Sequence, residues 1–136
     1  MFGENYVNNK LINELNKEKI EFDLINDLYL PSDFNKIDYV SQIDHILLTR
    51  KFLYIIETKW HDLDNSIVYG NAENKFLTIL NLETKTKNNY YNPGYQNKTH
   101  IKNYKNLLIK WNKDNSYIIP FKNIKNIVIL KNKEKN

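Results

Sequence analysis

The 136-residue sequence has no cysteine, which excludes disulfides and thiolate zinc sites and makes a reducing cytoplasm the simplest compartment. Glycine and proline are scarce, at three each. No Gly-rich phosphate loop or Gly-x-Gly-x-x-Gly run occurs, which argues against ATP or dinucleotide binding. The three histidines lack His/His or Cys/His zinc spacing. No apolar run approaches the ~20 residues of a membrane span, and no signal peptide pattern opens the chain, so no membrane association is expected. Arginine appears once, at Arg50, while Asn, Lys and Ile abound. That bias reads as base composition and not as function.

What remains is a globular chain. A hydrophobic fraction of 41% argues against disorder, and the length suits one core, so residues 1–130 are expected to form a single domain and 131–136 a polar tail. Charge is unevenly placed. Residues 1–70 carry 7 basic and 12 acidic side chains, a net of −5, whereas residues 71–136 carry 13 and 4, a net of +9. An acidic half able to hold a cation beside a basic half able to meet phosphates suits a nucleic-acid enzyme, and a lysine-rich solvated surface is the plainer explanation.

The chain reads as helix, strands, helix, strand. Val7, Leu11 and Leu15 give an apolar stripe to a helix over Gly3–Lys17, with Glu4 on the same stripe. Ile20–Leu30 alternates as a strand that Pro31-Ser32-Asp33 ends. Tyr39–Thr49 and Phe52–Trp60 form a hairpin at the sheet's centre, turning at Arg50-Lys51. A second hairpin is expected from Ser66–Tyr69 and Lys75–Leu82, then polar loop over Glu83–Asn92. Asn92-Pro93-Gly94 caps a second helix ending near Trp111 or Asn112, with Ile101, Tyr104, Leu108 and Trp111 inward. Ile124–Leu130 is a buried strand.

The central hairpin carries the chemistry. With a two- or four-residue loop its paired positions sum to a constant that sets Asp44 opposite Glu57 and Gln42 opposite Lys59. An odd loop would slip the register and turn Asp44 away. Facing carboxylates with Cβ atoms ~4.5–5.5 Å apart repel, unless a divalent cation sits between them. Two acids and a lysine on one sheet face are what metal-assisted phosphodiester hydrolysis requires.

Gly3-Glu4, Gln42-Ile43-Asp44-His45-Ile46, Ile56-Glu57-Thr58-Lys59-Trp60 and Asn92-Pro93 followed by Gln96 resemble, in kind and order, the PD-(D/E)xK nuclease superfamily, and within it the nuclease-related domain (NERD) family. Ile43 stands where the superfamily has proline, and Lys51 where the family has glycine. The resemblance implies an α/β, restriction-endonuclease-like core with a mixed, mainly antiparallel sheet flanked by helices. It also implies Mg²⁺ or Mn²⁺ bound by Asp44, Glu57, the Thr58 carbonyl and Glu4. Lys59 would then activate water or stabilise charge, and Gln42 and Gln96 would orient water or phosphate.

On the second helix Lys98, Lys102 and Lys105 form a basic line beside Gln96 and His100, near an N-terminus suited to phosphate, and Tyr95 adds a stacking surface; together they form an expected nucleic-acid face. His45 points to the opposite sheet face and reads as packed. The expected function is Mg²⁺-dependent hydrolysis of DNA, in defence against foreign DNA or in DNA processing. The alternatives are a catalytically weak nucleic-acid-binding module of a larger protein and a ribonuclease. A homodimer, or joint action with a helicase or other module, fits the same reading.

Overall fold

A four-stranded sheet of order β1-β2-β3-β7 carries the molecule, with α1 and α2 against it and a separate three-stranded sheet β4-β5-β6 inserted between β3 and α2. The elements of this computed structural model are α1 (Phe2–Lys17), β1 (Phe22–Asp33), β2 (Lys36–Thr49), β3 (Leu53–His61), β4 (Ser66–Tyr69), β5 (Phe76–Asn81), β6 (Lys87–Tyr91), α2 (Pro93–Asn115) and β7 (Ile124–Asn132). The structure describes residues 2–33, 36–71, 73–115 and 123–132. β1, β2 and β3 pair antiparallel and β7 joins β3 in parallel, so the sheet is mixed and mainly antiparallel, as expected. Among the described residues no helix is long and apolar enough to cross a membrane.

The helices start and stop for local reasons. α1 has Glu4 in its first turn and Lys17 in its last, each complementing the helix dipole. It ends in a Schellman cap, in which Lys19 N–H donates to Asn16 O at 3.1 Å and Ile20 N–H to Leu15 O at 2.9 Å. Lys19 takes the left-handed position there, with φ of 56°, without glycine. α2 begins at Asn92, whose Oδ1 accepts the Gly94 N–H at 2.9 Å. The same side chain donates through Nδ2 to the carbonyls of Asn71 and Asn74, at 3.1 and 2.8 Å, and so ties the β4–β5 connection to the helix.

The central register is the expected one. His45 pairs with Ile56, Ile46 with Ile55, Leu47 with Tyr54 and Leu48 with Leu53. Lys51 in place of glycine does no harm, because neither Arg50 nor Lys51 has positive φ. The Thr49 hydroxyl accepts the Phe52 N–H at 3.3 Å, standing in for a main-chain acceptor. Leu30, Ile43, Ile46 and Ile55 form the buried cluster, with Ile101, Tyr104 and Leu107 of α2 packed on it.

Several expectations need correction. β1 runs through Pro31 to Asp33, absorbing the proline by a register shift between Pro31 and Asp33. The expected loop after Leu82 contains β6, which pairs with β5 despite its polar sequence because one of its faces is left to solvent. α2 continues three residues past Asn112, and Trp111 is exposed. Lys131 and Asn132 belong to β7 and not to a tail; the remainder of the expected tail, 133–136, lies outside the described residues.

Removing the Asn92 side chain deletes one cap and takes a donor from two carbonyls, of which that of Asn71 keeps the Asn74 N–H. We therefore expect Asn92→Ala to cost about 2 kcal/mol in urea unfolding. A loss below ~0.5 kcal/mol would show that the tie contributes little.

Candidate functional site

β2 and β3 separate at one point. In an unbroken antiparallel ladder, main-chain pairing at His45 and Ile56 would be followed two residues on by Ile43 and Thr58. Instead the Thr58 N–H donates to Asp44 Oδ2 at 2.8 Å, and the ladder stops at His45 and Ile56. A side-chain carboxylate has replaced a main-chain acceptor. β2 stays with β1 while β3 stays with β7 as far as His61 and Asn132, and the gap between the two pairs is the site.

Asp44 and Glu57 flank this gap, and both are almost fully buried. Burial first, and the Asp44 charge second, push the Glu57 carboxyl up to about 7, against the opposing effect of Lys59. Lys59 Nζ sits 3.0 Å from Glu57 Oε1 and is about one-third exposed. Among the described residues Glu57 Oε2 has no hydrogen-bond partner. A buried anionic oxygen without a donor is costly unless a cation or water meets it. Glu4 reaches the same place from the first turn of α1. Its carboxyl is raised by burial and by the nearby Asp44 and Asp27 carboxylates.

α2 closes the floor. Asn97, fully buried, donates through Nδ2 to the Ile55 carbonyl at 2.7 Å and to Asn126 Oδ1 at 2.8 Å, bridging β3 and β7. Those two donations fix the amide orientation and leave Oδ1 as the acceptor for His100 Nδ1–H, at 3.2 Å. The same Nδ1 lies 3.9 Å from Glu57 Oε2, too far for a hydrogen bond. Burial holds the His100 pKa below its ordinary value, so the ring is neutral at pH 7 and Nε2 is an acceptor.

Asp44, Glu57, Lys59, Thr58 and Glu4 are therefore brought together, as expected. Thr58 turns its N–H, and with it the C=O of the same residue, to the β2 edge. Gln42 is not brought opposite Lys59, because β2 leaves β3 before that position; its Nε2 donates to Asp27 Oδ1 on β1 at 3.0 Å. His100 is not on a nucleic-acid face but buried against Glu57, while Gln96 is half-buried one turn before it. Lys98 is paired with Glu73 at 2.8 Å, and Lys102 and Lys105 are exposed on α2. Tyr95 is partly exposed. His45 is packed, with Nδ1–H given to Asn26 at 2.7 Å.

Two contributors escaped the sequence reading. Asn97 lies one turn before Ile101 on the line that continues to Tyr104 and Leu108, so extending the core stripe backward finds it. Asp27 has a left-handed φ of 54°, and the β1–β2 register skips it at the position facing Asp44. The Asn26-Asp27 pair within an alternating strand was the available signal.

The donor set suits a hard divalent cation. Among the described residues no three His, Asp or Glu side chains form a metal-ligating group. A cation here would rest on Asp44, Glu57, main-chain oxygen and water, which is how Mg²⁺ is commonly held. The orphaned Glu57 Oε2 is the structural feature such an ion would satisfy.

Because the Glu57 carboxyl is raised in the folded chain, its protonated form stabilises the metal-free protein below pH 4.5, and that stability is lost as pH rises through about 7. In EDTA, unfolding free energy relative to Glu57→Gln should fall by an amount on the order of 3 kcal/mol across that window. Saturating Mg²⁺ should remove the fall. A difference that stays flat with pH would show that Glu57 titrates normally.

The nuclease-related domain (NERD) family model matches residues 1–131. No curated protein and no solved structure matches the chain. Because that match spans nearly the whole chain, the chain belongs to the nuclease-related domain family.

Proposed function

We propose that this chain is a Mg²⁺-dependent nuclease that hydrolyses phosphodiester bonds of DNA in the cytoplasm, with Mn²⁺ able to replace Mg²⁺. The observation that carries this reading is the buried Glu57 oxygen left without a donor beside Asp44, at the point where β2 and β3 part. Asp44, Glu57 and the Thr58 carbonyl would hold the cation, with Glu4 beside Asp44 as an outer support. A bound divalent ion supplies an activated water and charge stabilisation for the pentacovalent phosphorus.

The chain's own residues supply the rest. Lys59 keeps its ammonium at the mouth of the site, held by Glu57 and partly in solvent, where it can meet a phosphate oxygen and orient the attacking water. Neutral His100 offers Nε2 as an acceptor for that water or its neighbour. Asn97 keeps the floor in place by fixing both the histidine and the β3–β7 pair. Lys102 and Lys105 add positive charge along α2, where a polyanion would approach.

The second reading is a nucleic-acid-binding module without useful catalysis. Cleavage assays separate the two. Asp44→Ala, Glu57→Ala and Lys59→Ala should each lower Mg²⁺-dependent cutting of supercoiled DNA by at least ~100-fold while remaining folded by circular dichroism. Full activity in any of these variants would remove that residue from the reaction, and binding without cutting by the wild-type chain would favour the module.

A further inference from the structure

The β4-β5-β6 sheet has two different faces. Leu77, Ile79 and Tyr90 turn inward, lining a narrow crevice with His61 and Leu130 of the main sheet, and Tyr91 at the strand end also borders it. The other face is left to solvent. Phe76 and Tyr91 are direct cross-strand partners on it, and Tyr69 shares it through its pairing with Thr78, two residues from Phe76. These three aromatic side chains are 44–52% exposed, a concentration that packing does not require.

The rings form a connected series. Phe76 and Tyr91 lie 6.0 Å apart with ring planes at 89°, and Tyr91 and Tyr95 lie 6.0 Å apart at 83°. Edge-to-face contact holds each ring while leaving aromatic faces free for another π system. The series passes from β5 through β6 to the first turn of α2. Its last member, Tyr95, precedes Gln96 and lies five residues before His100, which faces Glu57. On the inner side His61, two residues past Lys59, contacts Tyr90 with centroids 4.7 Å apart. The platform and the candidate site thus share α2, and the inner face of the platform's sheet touches the end of β3.

Charge indicates the occupant. Lys75 Nζ lies 5.8 Å from the Phe76 ring, and Lys87 is exposed on the strand that carries Tyr91. Residues 71–136, which carry three of the four rings, have 13 lysines against 4 acidic residues. Exposed aromatic rings interleaved with lysine on a positively charged half match an unpaired nucleic-acid strand, which offers bases for stacking and phosphates for the cations. Rigid duplex DNA keeps its bases stacked on one another and presents no free base face.

We propose that Tyr69, Phe76, Tyr91 and Tyr95 form a stacking platform for unpaired nucleotides, which leads a single strand toward the N-terminus of α2 and Glu57. This rests on the nuclease reading for its purpose and deepens it by naming the form of substrate; binding itself is tested apart from cleavage. In EDTA, fluorescence anisotropy with a labelled oligothymidylate about 15 nucleotides long should show tighter binding than to a duplex or an abasic strand of equal length. The Phe76→Ala/Tyr91→Ala double variant should bind the oligothymidylate about 10- to 100-fold more weakly, and Phe76→Tyr/Tyr91→Phe should bind as wild type. Phe76 and Tyr91 are about half exposed, and thermal melts would check that each variant is folded. Affinity unchanged within about twofold in the alanine variant, or equal affinity for the abasic strand, would overturn the platform and leave this face to a protein partner. Tight, aromatic-dependent binding by a chain that never cuts would sink the nuclease reading and leave the platform standing.

Discussion

One hydrogen bond organises the site: the Thr58 N–H donates to the Asp44 carboxylate where an uninterrupted ladder would have it donate to β2 main chain. The substitution has two consequences. It keeps Thr58 satisfied inside the protein, so β3 need not stay against β2, and it anchors Asp44 beside Glu57. The rest of the sheet tolerates the split because each strand keeps another neighbour, β1 for β2 and β7 for β3. Asn97 secures the far side by bonding to the Ile55 carbonyl and to Asn126.

The electrostatics follow from that geometry. Glu4, Asp44 and Glu57 are gathered with only the Lys59 ammonium directly on Glu57, and burial raises the carboxyls of Glu57 and Glu4. His100 is pressed toward the neutral form for the same reason and cannot supply the missing positive charge at neutral pH. A buried ion pair of this kind is weak evidence of stability, since desolvation offsets much of the attraction. Its persistence is better explained by a task, and a divalent cation is the species whose charge and oxygen preference match it.

Much of this was legible in the sequence because hairpin register is arithmetic. Once the turn at Arg50-Lys51 is located, Asp44 must face Glu57, and alternation puts Lys59 beside Glu57. Gln42 shows the limit of that arithmetic. Register describes a continuing ladder, and a side chain that takes over a main-chain bond ends it, so Gln42 went to Asp27 instead. β6 and Asn97 were missed for a related reason. A strand exposed on one face can be built from Lys, Asn and Tyr, and a buried asparagine breaks no helical pattern, so neither carries an apolar signal. Trp111 failed in the opposite direction, since an apolar residue at the right spacing lies beyond the end of the sheet's cover.

The central claim is that the gap between β2 and β3 holds one divalent cation on Asp44 and Glu57, and paramagnetic broadening by Mn²⁺ in an amide NMR spectrum tests it most directly. The account predicts saturable loss of signals around Asp44, Glu57 and Thr58 at a single equivalent, reversed by excess Mg²⁺ and absent in Asp44→Asn. Broadening centred elsewhere, or persisting unchanged in that variant, would contradict it.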